Sequence, residues 1–300
     1  MPATGLPRSP GSLRALSPNP SPVVLASRLI GPRMYFGCGD NPERLNGMWL
    51  AAGTVVEFQR GCTWANVRVI IKGGGTSSQP ILVQSAGSST SPAPVFSATK
   101  YGRYKDDAVI SLEGTHIQVR DLAVKNAGSV AFGVNGTSNV LHNVEGGSVV
   151  IGAWIRGQGS RVWNSYFHDL RMMPNTPGPN DDYGATGVVV EAHDVTLEGI
   201  TCRRCLGDSP DYNQWGGDGS LVDIWMKGDN LKLRYSYVDI SPRVVEGGGL
   251  GWGNSARNVT VNGVYANQIS DAPFYFNPVG EYSGLDTTGF RQYDNVIVRK

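Results

Sequence analysis

The sequence predicts an all-β fold, a parallel β-solenoid built from coils of about 22 residues. From Thr54 onward, apolar stretches with period-two alternation are separated by Gly, Asn, Asp and Ser, and no window keeps a helical period. Similar short phrases also recur, and their central apolar residues, called anchor residues here, are separated by 23, 22, 33, 36, 28 and 37 residues. The anchors are Ile117, Val140, Val162, Val195, Leu231, Val259 and Val296.

Three pairs of apolar positions around each anchor define three short strands per coil. Around the first anchor the pairs are Ile110 and Leu112, Ile117 and Val119, and Leu122 and Val124. Alternate residues of a strand face the same side, so three such strands enclose a packed interior with a triangular cross-section. We therefore predict one β-helix domain over residues 34–300, in which residues 34–66 and 283–300 cap the ends.

Residues 1–33 are expected to form a flexible leader. They contain seven prolines, several serines, four arginines and no acidic residue. The apolar piece Val23–Ala26 is shorter than the core of a secretory signal, so no signal peptide is recognised.

Composition excludes several functional classes. No stretch approaches 18 consecutive apolar residues, and the net charge of +1 gives no reason to expect nucleic acid or a membrane surface as partner. Cys202 and Cys205 form a lone C-x-x-C without a second pair at zinc spacing, and Cys202 falls at an inward position. We expect Cys202 to be a small buried residue, and the chain to be a monomer.

Three acidic residues share one position in the repeat. Asp182, Asp218 and Glu246 each lie 13 residues before an anchor residue. On stacked coils about 4.8 Å apart, these carboxylates would repel one another. Either Ca²⁺ bridges them, with Asp223 as a further candidate ligand, or one carboxyl stays protonated and serves as a general acid. The structural alternative is that each acid only bonds its own backbone in a turn.

Insertions are predicted at one point of the coil, just before the acidic position. They are Met173–Asp181, Leu206–Gly217, Pro242–Val245 and Ser270–Tyr282. Loops stacked on one side of a rigid scaffold are a common place for binding sites. The aromatic residues in and near them are candidate sugar platforms, with Arg204 as a further substrate ligand: Tyr183, Tyr212, Trp215 and Trp252. Local packing is the competing explanation for each aromatic residue.

Charged residues at the neighbouring outward positions are candidates for proton transfer. The assumed register places Glu191 and Lys227 on successive coils, with Arg156 two positions earlier. Lys227 is the candidate base, and Asp218 also belongs to the candidate catalytic set. His168 and Arg171 lie across the predicted insertion and are the remaining candidates.

The phrases Phe58–Trp64 and Ile70–Ile81 resemble the opening of bacterial right-handed β-helix proteins of the pectate-lyase-like superfamily. Asp182–Gly187, Asp211-Tyr212 and Asp218-Gly219 are similar to a subgroup of that superfamily. The resemblance covers roughly residues 54–300 and implies a right-handed parallel β-helix and an extracellular or cell-surface location. The Asn-Thr-Asp and Gly-His-Gly motifs of polygalacturonase-type hydrolases are absent, and so is the Asn-Gly-x-Glu phrase of chondroitinase-B-like lyases.

The resemblance implies a polysaccharide lyase that acts on a uronate-containing polysaccharide or oligosaccharide. In this hypothesis, Ca²⁺ held by the acidic residues neutralises the substrate carboxylate, and Lys227, helped by Arg156 or Arg171, abstracts the C5 proton. A glycoside hydrolase that uses two carboxylates on adjacent coils is the alternative. A non-catalytic glycan-binding or structural solenoid is the third possibility.

Overall fold

The computed structural model describes residues 31–98, 108–172, 184–206, 219–248, 255–276, 291–292 and 296–299. Within these ranges the chain forms 28 β-strands and one 3₁₀ helix, Pro42–Gly47. Asn41 caps this helix, because its side chain accepts a hydrogen bond from the Glu43 amide. Among the described residues no helix is long and apolar enough to cross a membrane.

The strands form three sheets, and all paired strands run parallel. Sheet A contains β1 (Arg33–Phe36), β3 (Val55–Gln59), β6 (Ile81–Ala86), β9 (Ile117–Arg120), β12 (Val140–His142), β15 (Arg161–Trp163), β18 (Thr196–Glu198), β21 (Lys232–Arg234), β24 (Thr260–Asn262) and β27 (Arg291–Gln292). Sheet B contains β2 (Trp49–Leu50), β5 (Val69–Gly74), β8 (Ala108–Thr115), β11 (Val130–Val134), β14 (Ile151–Ile155), β17 (Thr186–Val190), β20 (Ser220–Trp225), β23 (Arg243–Gly248) and β26 (Phe274–Phe276). Sheet C contains β4 (Thr63–Ala65), β7 (Val95–Ser97), β10 (Ala123–Lys125), β13 (Glu145–Gly147), β16 (Tyr166–Leu170), β19 (Thr201–Cys205), β22 (Tyr237–Ser241), β25 (Tyr265–Ile269) and β28 (Ile297–Val298).

Each coil passes through sheet B, then sheet A, then sheet C, and each strand pairs with strands of the coils before and after it. The predicted right-handed parallel β-helix is confirmed. The interior of sheet A shows the stacking most simply, because one buried apolar column runs through seven successive coils. Its members are Val83, Val119, Leu141, Val162, Leu197, Leu233 and Val261. Leu233 therefore points inward, as predicted.

Each coil has three residues in the left-handed backbone region, called corner residues here. One lies between sheets B and A, one lies between sheets A and C, and the third lies near the end of the sheet C strand or just after it. In six successive coils these residues recur five positions apart within the coil. They are His116, Asp121 and Asn126; Ser138, Asn143 and Ser148; Gly159, Asn164 and Asp169; Asp194, Gly199 and Arg204; Asn230, Tyr235 and Ile240; and Asn258, Gly263 and Gln268. Asn, Asp and Gly tolerate this conformation best, which explains their frequency between the predicted strands.

Side chains at the sheet B to sheet A corner form a polar ladder along the helix axis. The Asn258 side-chain amide donates to the Asn230 side chain (3.1 Å), which donates to Asp194 (2.8 Å). Asp194 also accepts from Gln158 at 2.8 Å. These bonds satisfy polar groups that a tight corner leaves without regular sheet partners.

The predicted anchor alignment is correct for Ile117, Val195, Leu231 and Val259, and wrong for the other anchors. The residues that follow the left-handed corner in the two intervening coils are Asn139 and Ser160, not Val140 and Val162. Val140 pairs with Gln118 on the outward side, and Val162 pairs with Leu197, two positions later than predicted. Val296 precedes β28, which belongs to sheet C, so it is not a sheet A anchor.

Buried polar residues caused this error. Asn139 is 1% exposed. Its side-chain Oδ1 accepts a hydrogen bond from the Ile117 backbone amide (2.8 Å), and its side-chain Nδ2 donates to the Gly114 backbone carbonyl (3.0 Å). Both ends of the side chain are therefore paired inside the coil, which makes its burial favourable. A search that considers only apolar residues does not recognise such an inward polar position.

The prediction that all insertions occur at one point of the coil is wrong. Residues 173–183 and 207–218 connect sheet C to sheet B, whereas residues 249–254 and 277–290 connect sheet B to sheet A. Pro242–Val245 is not an insertion, because β23 begins at Arg243. Trp252 therefore belongs to a different connection from Tyr183, Tyr212 and Trp215.

The predicted N-terminal cap region contributes the first strands of all three sheets. Here β1 pairs with β3, and β2 and β4 pair with the following coil. A disulfide between Cys38 and Cys62 ties this region together. The second disulfide joins Cys202 to Cys205, and both sulfur-bearing residues are fully buried, which confirms the inward position of Cys202.

Candidate active site on the outer face of sheet B

Six of the predicted site residues lie outside the described residues: Asp182, Tyr183, Tyr212, Trp215, Asp218 and Trp252. The predicted row of Asp182, Asp218 and Glu246 is wrong in one respect. Glu246 pairs with Asp223, which is five residues after Asp218 in the sequence, so Glu246 does not share the register position of Asp218. The structure instead brings together Asp223 and Glu246, two of the four predicted metal ligands.

One outward row of sheet B contains this acidic pair. Val189, Asp223, Glu246 and Tyr275 are register partners on the successive strands β17, β20, β23 and β26. Adjacent strands lie about 4.8 Å apart, so the two acidic side chains are direct neighbours on one face. Both are half-buried.

Arg243 joins this face because β23 does not alternate regularly. Val244 and Val245 both pack into the core, so Arg243 and Glu246, three residues apart, reach the same outer face. Leu221 and Val222 repeat the arrangement one coil earlier.

The Arg243 guanidinium is buried among acidic groups. It donates to Glu246 Oε1 at 2.6 Å and to Asp271 Oδ2 from Nε (3.0 Å) and Nη2 (2.9 Å). Its outer side lies over the Tyr275 ring, 4.6 Å from the ring centroid. A carboxylate that accepts a charge-assisted hydrogen bond is held in its ionised form, so Arg243 favours an anionic Glu246.

Asp223 experiences the opposite environment. Burial raises the pKa of the Asp223 carboxyl well above its ordinary value, the neighbouring Glu246 raises it further, and Arg243 only partly opposes them. The side chain retains some exposure to solvent, yet no described cation bonds it directly. A carboxyl with a raised pKa beside a carboxylate held by an arginine is a usual arrangement of a general acid and its partner.

Trp225 extends the face two residues beyond Asp223. It pairs with Gly248 on the next coil and packs against an apolar cluster on the outside of sheet B. A Cβ placed on Gly248 would meet no atom of a described residue within 4 Å. Trp225 is half-buried, and a partly exposed indole on the surface of a sheet is a suitable platform for a sugar ring.

Glu191 does not form the predicted rung with Lys227. Its Oε2 instead accepts from Arg156 Nε (3.1 Å) and from the Trp154 indole (3.1 Å), and Arg156 lies over the Trp154 ring. The prediction failed because the corner between Ile224 and Leu231 is two residues longer than in the preceding coils, which moves Lys227 beyond the end of β20.

Lys227 is exposed and lies at the sheet B to sheet A corner. Arg171 lies at the opposite end of sheet B, where it precedes β17, and its side chain donates to the Ala127 carbonyl at 3.4 Å. Strands of five or six residues separate the two corners by roughly 16–20 Å. The structure therefore does not bring Lys227 and Arg171 together.

His168 and Arg204 belong to sheet C and meet through Asp169. His168 Nδ1 lies 2.6 Å from Asp169 Oδ2 and Nε2 lies 3.0 Å from Glu145 Oε1, while Arg204 forms an ion pair with Asp169. The hydrogen bond with Glu145 is the main reason that the pKa of His168 is raised. Both ring nitrogens thus lie within hydrogen-bond distance of a carboxylate.

The donor set for Ca²⁺ is incomplete among the described residues. No group of three or more His, Cys, Asp or Glu side chains there is arranged to hold a metal ion. Asp223 and Glu246 are only two carboxylates, and the Glu246 oxygen is already shared with Arg243. Hard cations prefer six or more oxygen ligands, so the described residues by themselves do not form a calcium site.

Sequence reasoning missed Arg243, Asp271 and Tyr275. Arg243 lay in a segment assigned to an insertion, and the other two lay in the segment assigned to the last loop. The repeated pairs of inward residues, Leu221-Val222 and Val244-Val245, are the signal that could have identified β23 as a strand.

No family model matches the chain, and no curated protein is detectably similar in sequence. Solved structures do resemble it. A pectate lyase, Pel9A, aligns over 89% of this chain and 78% of its own with a TM-score of 0.53 and 14% identity. An alginate lyase from Paenibacillus sp. str. FPU-7 aligns over 89% of this chain and 97% of its own, with a TM-score of 0.45 and 16% identity. A GH136 lacto-N-biosidase from Eubacterium ramulus aligns over 85% of this chain and 68% of its own, with a TM-score of 0.44 and 12% identity. At these identities the likeness concerns the fold, and it agrees with a right-handed parallel β-helix.

Proposed function

We propose that this chain is a carbohydrate-active enzyme that cleaves a polysaccharide on the outer face of sheet B. The observation that carries the proposal is the pairing of Asp223 with Glu246 on adjacent strands. Burial and the neighbouring Glu246 favour the protonated form of the first carboxyl, and the hydrogen bond from Arg243 favours the ionised form of the second. A carboxylic acid beside a carboxylate is the minimal equipment for glycosidic bond hydrolysis.

In the proposed reaction, Asp223 donates its proton to the glycosidic oxygen as the bond to the anomeric carbon breaks. Glu246 attacks the anomeric carbon and forms a glycosyl ester. Asp223, now a carboxylate, takes a proton from water, and the resulting attack releases the sugar and regenerates both groups. Carboxyl groups about 5 Å apart favour this two-step route, so we expect retention of anomeric configuration.

Arg243, Glu246 and Asp271 form one ion-pair network at the site. A neutral glycan is the proposed substrate class for hydrolysis, with Trp225 as the stacking platform.

Calcium-assisted β-elimination is the second candidate, and the same pair supports it. Burial and then the neighbouring Glu246 raise the pKa of Asp223, and a cation bound between the two carboxyl groups would relieve the repulsion between them. Ca²⁺ held by Asp223, Glu246 and the undescribed Asp182 and Asp218 would supply charge to neutralise a uronate. Lys227 would remain the candidate base. The solved pectate lyase with a similar fold makes an acidic polysaccharide a reasonable class to include in the assay.

Digestion of a panel of neutral and uronate-containing glycans separates the candidates. New reducing ends without ultraviolet absorbance from an unsaturated product support hydrolysis, whereas that absorbance, lost in EDTA and restored by Ca²⁺, supports elimination. If neither product forms from any glycan, the non-catalytic binding or structural solenoid is the better hypothesis.

Variants then test the pair itself. Asp223→Asn and Glu246→Gln should each lower kcat by about 100-fold or more, the usual contribution of a general acid or nucleophile. Glu113→Gln, on the same outer face and paired with Lys72 at 3.4 Å, is the matched control and should retain activity. Full activity of Asp223→Asn on a confirmed substrate would exclude this site.

A two-disulfide structure also favours an oxidising compartment. Together with a polysaccharide substrate, this leads us to propose that the protein acts outside the cell.

A further inference from the structure

The outer face of sheet A carries a cluster of donor groups that the proposed reaction does not use. Arg120, His142 and Trp163 are register partners on the successive strands β9, β12 and β15. The His142 and Trp163 rings lie 4.6 Å apart, and the Arg161 guanidinium lies 5.1 Å from the Trp163 ring centroid. Four side chains from three coils therefore share one patch.

Three donors of this patch have no acceptor. Trp163 Nε1, Arg120 Nε and Arg161 Nε are buried, and no described residue accepts a hydrogen bond from any of them. Trp163 is 6% exposed, so its indole N–H is cut off from bulk water. Unmet buried donors are rare in native proteins, and each calls for a partner that the chain itself does not provide.

The chemistry of the donors defines that partner. Indole and guanidinium groups donate and cannot accept, so the missing group is an acceptor. Arg120 and Arg161 each use one other nitrogen, toward Gln118 and toward Glu198 (3.2 Å) respectively, while no described residue accepts from either Nε.

Two of the three donors are guanidinium nitrogens, which bond an anionic acceptor more strongly than a neutral one. Burial, and then the positive charges of Arg120 and Arg161, lower the pKa of His142, although Asp121 opposes them. Burial likewise lowers the pKa of Arg120. Burial is the largest cause of both shifts, and Asp121 and Glu198 are the acidic groups nearby.

We propose that Arg120, Arg161 and Trp163, with His142 beside them, form a binding site for an oxyanion: a carboxylate, sulfate or phosphate group. Guanidinium groups bind such anions through charge-assisted hydrogen bonds, and the indole N–H adds a neutral donor. The site lies on a different sheet from Asp223 and Glu246 and does not depend on the proposed reaction. An acidic sugar or an inorganic anion could supply the group.

The indole ¹⁵N–¹H signal of Trp163, assigned from its loss in Trp163→Phe, reports binding directly. Sodium sulfate, sodium phosphate, galacturonate and galactose are titrated into the wild-type protein at constant ionic strength. A saturable shift of the Trp163 signal with an anion, without a shift of the 73% exposed Trp49, is expected. Galactose should have no effect.

The two sources give different results, and both support the site. Tighter binding of galacturonate than of sulfate or phosphate identifies a sugar carboxylate, and the reverse order identifies an inorganic anion. Arg161→Gln and Arg120→Gln should each weaken binding about tenfold or more, because each removes a charged donor. Arg234→Gln, farther along the same outer face, is the matched control and should bind as the wild type does.

Absence of a saturable Trp163 shift with all three anions would overturn the proposal, because water would then suffice for these donors. Equal affinity of Arg161→Gln, Arg120→Gln and wild type would overturn it too. Circular dichroism of each variant shows whether the fold is retained. If Trp163→Phe does not fold, the arginine variants supply the test, and the indole signal is assigned by site-specific isotope labelling.

Discussion

Replacement of Leu233 measures how strongly one coil depends on its neighbours. The side chain is fully buried and lies between Leu197 and Val261 on the adjacent coils. Leu233→Ala removes apolar contacts on both sides and leaves a cavity in a stack that cannot collapse easily. Such changes cost about 2–5 kcal/mol. Because about 2–4 °C is lost per kcal/mol in a large domain, we expect the melting temperature to fall by roughly 10 °C.

Lys232→Ala is the matched control, because Lys232 is the adjacent residue and is exposed. Exposed substitutions usually change stability by no more than about 0.5 kcal/mol, so its melting curve should overlay that of the wild type. Leu233→Asp should be far more severe and prevent folding, since it buries a charge without a partner. Thermal melts followed by circular dichroism give the comparison. If Leu233→Ala and Lys232→Ala melt at the same temperature, the inward position of Leu233 does not have the energetic role argued here.

Three further predictions follow. Burial raises the pKa of Asp229, but hydrogen bonds from Arg257 outweigh it and lower the pKa from 3.8 to about 2. The ionised Asp229 therefore adds up to about 2 kcal/mol to the free energy of unfolding above pH 3.8, and this contribution is lost as the pH falls toward 2. Chemical denaturation measured across this pH range should show the loss in the wild type but not in Asp229→Asn. The same pH dependence in both proteins would contradict the assignment. Replacing Cys38 and Cys62 by serine should lower the free energy of unfolding by about 3 kcal/mol, and replacing Cys202 and Cys205 should lower it much less. A longer closed loop restricts the unfolded chain more, and the two sequence separations are 24 and 3. Equal denaturation midpoints of the two double variants would argue against loop entropy as the cause. Activity should fall as the pH rises through the raised pKa of Asp223, and Asp223→Asn should lack this limb of the pH profile; a variant that retains it shows that another group titrates.

The fold was predictable because the residues that form it repeat. Apolar positions such as Leu197 and Leu233 recur at matching offsets, and Asn or Asp precedes several anchors because it accepts the left-handed corner. The register of strands on successive coils was harder to predict, because it requires knowing which polar residues point inward. Asn139 can point inward because its side chain forms hydrogen bonds with the Ile117 amide and the Gly114 carbonyl.

The site was predictable only in part, since it depends on register to within one residue. Glu246 and Asp223 were both recognised as candidates, but a fixed offset from the anchor gave Glu246 the wrong partner. A corner two residues longer before Leu231 and a still longer connection between β23 and Val259 both break that offset. These are local backbone adjustments, and alternation of apolar and polar residues does not reveal them.

The constant five-residue spacing of the corner residues has a consequence for how such a chain can evolve. Within each of the six regular coils, the segment from the first corner to the third keeps the same length, so sheets A and C fix the geometry of the stack. Length varies only between the third corner of one coil and the first corner of the next, and that interval contains sheet B and its flanking connections. Insertions and deletions there leave the other two sheets in place. Selection can therefore enlarge or reshape the surroundings of Asp223 and Glu246 while the remainder of the scaffold stays unchanged.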